Sequence, residues 1–370
     1  MEVQGMSENE STTAAGSRWG RVWGMVSVAA VALTLLAVAF VWPSAEGEAD
    51  GISVAVTGQP EAVEGFVQAA EGGLGEVVDI VAVDDRDAAV AGIEQREFIG
   101  ALVLGQEPEV LTASANGQVP AAFMTEMASQ VQINASEQMY AGVTGQLQEA
   151  LASGEGDPAT MLNQLPESLP AVQVTDVVPY SEGDPNGVGL TTAGIPLTVG
   201  TLLASILIAF TVAGRWQRIN AVLGLGVGGG LILTLVLGTW LQVYPGSFGL
   251  VWAALSLSLT ATSALFVGLH GLLGRAGLGI AAAVTLFAAM PWAAFAVPYQ
   301  FLPAGLGHIG QWLIPGATTT LTRTVSYFPD ATASTSWWAL AIWAAGGLIL
   351  ALLARQKRPS ETAAAPTVRH

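Results

Sequence analysis

Between Asp184 and Arg215, between Arg218 and Arg275, and between Arg275 and Arg323, the chain has no Asp, Glu, Lys or Arg, and these runs hold only two histidines, His270 and His308. A soluble domain of ordinary composition is about 25% charged, so runs this long cannot be a water-facing surface. Inside a bilayer every backbone N–H and C=O must be satisfied within the protein, and a bundle of helices meets that demand. The sequence therefore specifies an α-helical polytopic membrane protein.

A spanning helix needs about 20 apolar residues. Six segments qualify: 22–42, 190–213, 220–243, 249–273, 277–298 and 336–354. The first, VWGMVSVAAVALTLLAVAFVW, exceeds the apolar core of a secretory signal, about 7–15 residues, and follows a polar tail, so it reads as an uncleaved anchor. Pro196 and Pro291 are placed to kink their helices and Pro298 to end the fifth.

Orientation follows from the basic residues, which cytoplasmic flanks retain. In a six-span arrangement Arg18, Arg21, Arg215, Arg218, Arg275, Arg355, Lys357, Arg358 and Arg369 fall on one side, and only Arg86, Arg96 and Arg323 on the other. The tails 1–21 and 355–370 are then cytoplasmic, while 43–187 and 299–335 lie outside. Of 29 acidic residues, 24 fall between Glu46 and Asp184, so the outer domain is strongly acidic. One lysine against eleven arginines suggests a GC-rich bacterial genome, and with the spans a bacterial plasma membrane.

Within 43–187 the pattern alternates. Strands are expected at 52–58, 77–85, 99–105, 108–117 and 171–180, and helices at 60–73, 87–98 and 118–151, with a Gly-, Asp- and Pro-bearing linker over 153–170. Strand–helix–strand alternation specifies a small α/β domain inserted between the first and second spans. Asp84, Asp85 and Asp87 suit a solvated helix N-terminus, where carboxylates meet the positive end of the dipole; cation binding by these acids with Glu94 and Glu97 is the sharper alternative.

Several chemistries are missing. There is no cysteine, and the three histidines are scattered, so neither thiol catalysis nor a histidine-built metal site is expected. The only lysine, Lys357, stands in the tail, so the G-x-x-x-x-G-K-[ST] phosphate loop is absent and the chain cannot hydrolyse ATP. The spans carry no mid-depth ionisable group, which argues against a proton-driven pump. His308 with Asp330 is the sole candidate catalytic pair. No cofactor and no nucleic-acid partner are expected, and the chain is not read as an enzyme.

Polar character in the spans comes from small residues. Gly226 and Gly230, like Gly224 and Gly228, have the four-residue spacing that lets helices approach closely. Ser256, Thr260 and Ser263 share a face of the fourth span. Both sets suit helix packing; a weakly polar path is the sharper reading.

Residues 301–328, FLPAGLGHIGQWLIPGATTTLTRTVSYF, fit neither a span nor a soluble loop. Pro303 with Gly305 and Pro315 with Gly316 break any single helix, and Arg323 is the sole charge. Two short helices are expected, one over about 304–313 and one after Pro315–Gly316, dipping into or lying along the outer leaflet as a re-entrant or interfacial hairpin. Arg323 could hold a lipid headgroup, snorkel, or pair with a local carbonyl or with Asp330.

One span, a large outer domain, five further spans and a proline-interrupted helical pair before the last span resemble the layout of ABC-2 type permeases, the membrane subunits of ATP-driven exporters. The hairpin is similar to the corresponding stretch of that superfamily, notably its phage-infection-protein-like branch and actinobacterial membrane proteins, with Pro303, Pro315, Gly316 and Arg323 at matching positions. DVVPYSEGDPNGVGL, 176–190, is similar to the lead into the second span of those proteins. The resemblance implies a separate ATP-binding cassette ATPase, a homodimer or heterodimer, contact with membrane lipids, and outward movement of a hydrophobic or lipid-like substrate. It places Arg215 and Arg218 toward the ATPase. The connecting loop, GRWQRI, is short, so either the docking surface is minimal or this branch lacks its ATPase. The rival expectation is a non-transporting envelope protein whose outer domain binds a partner, cell-wall polymer or phage.

Overall fold

The computed structural model describes residues 52–71, 78–105, 107–153 and 171–354, with seven residues between 24 and 38. The tails 1–21 and 355–370 lie outside the described residues, as do 154–170 of the expected linker and most of the expected first span, 22–42. The seven described residues of that span are helical and exposed.

The sheet domain follows the expected alternation. Strand β1 (Ile52–Gly58) leads through helix α1 (Pro60–Glu71) to β2 (Val78–Ala82), and α2 (Arg86–Glu94) leads to β3 (Gly100–Leu104). β4 (Glu109–Thr112), the long α3 (Gln118–Ser153) and β5 (Gln173–Asp176) complete it. The sheet order is β2-β1-β3-β4-β5, parallel except for the antiparallel β3–β4 pair. Asp85 caps α2, its carboxylate accepting from the Ala88 N–H at 2.8 Å, which gives this acid the helix-start role. Among the described residues no group of acids or histidines is arranged to hold a metal ion.

Alternation along β1 divides two cores. Val54 and Val56 join Leu102, Val110 and Met124 on one face. Ala55, with Ala101, Leu111 and Ile93 of α2, belongs to a second cluster that runs without a break into the helical bundle. The sheet domain is therefore docked through its own core.

The bundle begins with α4 (Val188–Thr192) and α5 (Gly194–Thr211). Asp184 organises this start: its two carboxylate oxygens accept from the N–H groups of Gly189 at 3.0 Å and Leu190 at 2.8 Å. α6 (Arg215–Trp240), α7 (Phe248–Leu273), α8 (Arg275–Trp292) and α11 (Ser334–Leu353) complete it, with two short helices, α9 (Leu306–Gly310) and α10 (Ile314–Tyr327), between α8 and α11. Among the described residues five helices, α5, α6, α7, α8 and α11, are long and apolar enough to cross a membrane. α7 is the axis: 72% of its most apolar stretch is buried, against 22–39% for the other four. Gly268 of α7 and Gly347 of α11 meet backbone to backbone, and a Cβ on either would overlap the facing chain. Such close approach supplies the dispersion contact that holds helices together where the surrounding lipid is itself apolar.

Several helix ends differ from expectation. GRWQRI is the first turn and a half of α6, because Gln217 bonds back to the Gly214 N–H and lets the helix start at Arg215. α8 ends at Trp292, with Pro291 in its last tight turn, so Pro298 lies beyond the helix it was expected to end. Pro196 lies just past Ala193, the single residue that separates α4 from α5, where its missing N–H removes the bond that a continuous helix would make to the Thr192 carbonyl.

Candidate functional site: a polar cavity between the sheet domain and the bundle

α10 organises the junction. Pro315 stands in its first turn, where the fixed φ suits helix initiation. Twelve of its fourteen residues are buried, enclosed by α5, α7, α11 and the Ser114–Asn116 turn of the sheet domain. The helix expected after Pro315–Gly316 thus starts at Ile314 and lies within protein. Its expected partner over 304–313 is shorter, a tight turn at Pro303–Gly305 and then α9, because Gly305 takes φ +70°. The glycines make the hairpin compact: a Cβ on Gly316 would overlap the Gly310 carbonyl, and one on Gly310 the Trp292 carbonyl.

Arg323 is 3% exposed and does not reach Asp330. Its two terminal nitrogens donate to carbonyls, Nη1 to Asn116 at 3.3 Å and Nη2 to Phe295 at 3.1 Å, and Nε has no partner. It ties the sheet domain to the segment after α8. It pairs with carbonyls, though not local ones: they lie 207 and 28 positions away in sequence.

A second arginine stands beside it. Arg96 closes α2 with φ +62°, a left-handed conformation that glycine or asparagine usually fills. A non-glycine residue held there costs about 1–3 kcal/mol. Its Nη1 donates to the Thr324 hydroxyl at 2.7 Å, and its guanidinium lies 5.2 Å above the Phe328 ring. Burial, reinforced by the Arg323 cation, lowers the Arg96 pKa to about 10, so it stays charged at neutral pH. Among the described residues the single ion pair is Arg86–Glu109, far along the sheet, so neither arginine has a carboxylate partner.

Arg96 forms part of a cavity of about 380 Å³. Its buried floor includes Gln311, Thr324 and Ser336; its exposed rim includes Gln95, His308 and Trp312. Gln311 is fixed, accepting from the Thr320 hydroxyl and donating to the Gly307 carbonyl. Gln300 also lines the space, with its buried Oε1 unpartnered. No Asp or Glu lines it. The arrangement offers one cation, several hydroxyls and amides, and no negative charge: it can receive an anion.

The other expected positions fall elsewhere. Gly226 and Gly230 pack against Ser256 and Thr260, where any Cβ would overlap the hydroxyl oxygens, while Gly224 and Gly228 face open space. Ser263 is fully buried and donates to the Leu259 carbonyl at 2.6 Å. This is a packing seam. Arg215 donates to the Leu352 carbonyl at the end of α11, and Arg218 to the Val212 carbonyl at the end of α5, which satisfies orphan carbonyls and complements the dipole. His308 stands edge-on to Tyr299, their rings 4.9 Å apart, and has no bond to Asp330, so the candidate catalytic pair is not assembled. Reasoning from sequence missed Arg96, Gln300, Gln311 and Thr324 as partners in one site. The available signal was that Arg96 is one of only three basic residues assigned to the acidic side.

No protein-family model, curated protein or solved structure matches the chain. What fold and site define together is a class: a protein with several helices apolar enough to span a membrane, a five-stranded sheet domain docked on their bundle, and a cationic cavity between the two.

Proposed function

We propose that the chain is the permease subunit of an ABC-2-like exporter, moving a hydrophobic or lipid-like molecule outward with energy from a separate ATPase. It would sit in a bacterial plasma membrane as a homodimer or heterodimer, with six spans, both tails in the cytoplasm and the sheet domain outside. The observation that carries this reading is α10, a proline-initiated helix too short to cross, held inside protein between the axial helix and the sheet domain. Broken helices at membrane depth persist where they are buried in protein or line a water-filled cavity, and the lining of a path is the use we assign to this one. The test is reconstitution: vesicles holding this chain and its co-purifying ATPase should move a fluorescent lipid analogue only with ATP. Purification from native membrane without any ATPase would count against it.

One observation favours a second reading. Arg215 and Arg218 are turned onto helix-end carbonyls, which leaves fewer free N–H donors for an ATPase to grip. The protein would then be a non-transporting envelope component whose sheet domain binds a partner, cell-wall polymer or phage. An unrelated membrane anchor should replace the bundle without loss of function in that case. The continuity of the sheet core with the bundle supports the first reading, because a merely tethered domain needs no shared core.

A further inference from the structure

We propose that the cavity between Arg96, the α9–α10 hairpin and the start of α11 binds the phosphate group of a phospholipid-type amphiphile, with Arg96 as its cationic anchor. The inference concerns recognition and holds whether or not the chain transports anything.

Charge is the first argument. Arg96 and Arg323 approach closely enough to repel, yet neither has a carboxylate partner among the described residues. Glu97, the nearest acid in sequence, is exposed; it shares a second, smaller cleft with Arg96, Ile52 and Ser53 but forms no ion pair with Arg96. An anion in the cavity supplies the missing counter-charge. The guanidinium has five N–H donors in a planar fork, and Thr324 takes one of them, on Nη1. Such a fork suits two oxygens of one phosphate.

Geometry is the second. The backbone at Arg96 is held in a conformation that glycine would adopt more easily, so the side chain is kept there against local preference. Ser336 places a hydroxyl on the floor and Gln300 lines the space with its amide, while Thr324 and Gln311, bonded to Thr320 and Gly307, fix the shape of the floor. The volume, about 380 Å³, is within the range of small-molecule sites.

The flanks are the third. Trp312 on the cavity's rim is 53% exposed, and Ile309, next in sequence to the rim residue His308, is 58% exposed. Aromatic residues at a membrane interface sit at headgroup level, so a polar hollow edged by Trp312 presents a headgroup site with apolar surface for acyl chains. A free phosphate would make no use of that edge.

The test uses the full-length protein in detergent and calorimetric titration with three probes: dihexanoyl phosphatidate, dihexanoylglycerol and inorganic phosphate. The phosphatidate should bind at least about tenfold tighter than either of the others, since one charge-assisted contact is worth about a factor of ten or more. Arg96→Gln and Arg96→Gly should each lose that advantage, and Arg86→Gln, at the distant ion pair, should keep it. Equal binding of dihexanoylglycerol, or an unchanged Arg96→Gln, would overturn the proposal. Equal binding of inorganic phosphate would assign the cavity to a soluble anion and overturn the lipid part. If Arg96→Gln fails to fold, Arg96→Gly, which relieves the backbone, and the three-probe series on the natural protein still decide.

Discussion

Arg96 and Thr324 stand 228 positions apart in sequence, and the Nη1 of the first donates to the hydroxyl of the second at 2.7 Å. That bond joins the last turn of a helix in the sheet domain to a helix enclosed by the bundle. One residue earlier on the same helix, Arg323 reaches back to the Asn116 carbonyl. The junction is therefore stitched in both directions by arginines, each acting as donor.

Arg96→Gly should be more stable than Arg96→Ala. Both lose the Thr324 bond and the contact with Phe328, but only glycine takes φ +62° without strain. A difference of about 1 kcal/mol in favour of glycine is expected in denaturant unfolding. Equal stability would mean that the turn relaxes in the variants.

The two glycine pairs of α6 should respond oppositely. Gly226→Ala drives a methyl group into Thr260 and should cost about 1–3 kcal/mol through overpacking. Gly228→Ala meets nothing within 4 Å and should be neutral, or stabilising by at most about 1 kcal/mol. Thermal stability of the detergent-solubilised variants, followed by size-exclusion chromatography, separates the two.

Glu109 gives a pH dependence of known sign. The Arg86 guanidinium at 2.7 Å holds its carboxyl below the usual value of 4.5, with help from the Thr175 hydroxyl and against partial burial. A carboxyl lowered in the folded state contributes stability that is full above its unfolded pKa and disappears as pH falls through the folded one. Acidification below the usual carboxyl value of 4.5 should therefore progressively remove the contribution of this pair, about 0.2–1 kcal/mol because Arg86 is well exposed. Glu109→Gln should flatten that part of the stability curve; an unchanged curve would assign it to other acids.

The absence of cysteine makes the membrane arrangement directly measurable. Ala213→Cys, between α5 and α6, and Asp330→Cys, between α10 and α11, both stand at exposed positions. A membrane-impermeant maleimide should label Asp330→Cys in intact cells and Ala213→Cys only after permeabilisation. The reverse result would invert the topology.

Much of the fold is legible in the sequence because its cause is local. Strand β1 was readable residue for residue, since ISVAVTG is a short β-branched run closed by glycine and followed by a proline that starts α1. α7 was readable to within one residue, since no charge interrupts it and Arg275 follows. Helix ends at Trp292 and Arg215 were less readable, because each depends on a tight turn or a single side-chain bond. The site was the least legible part. Arg323 could be picked out as the lone charge of its segment, but the carbonyls to which it donates lie 207 and 28 positions away.

From sequence alone came the kind of protein: charge-free runs longer than any soluble surface tolerates, an acidic α/β domain, and the absence of a G-x-x-x-x-G-K-[ST] phosphate loop. These follow from composition and short-range periodicity, which act within a few residues. Tertiary structure alone decided that Gly226 packs while Gly228 does not, that Arg215 and Arg218 turn onto helix ends, and that Arg96 borders a cavity with no acid to neutralise it. Each of those depends on which surfaces meet, and a side chain's identity does not encode its distant neighbours.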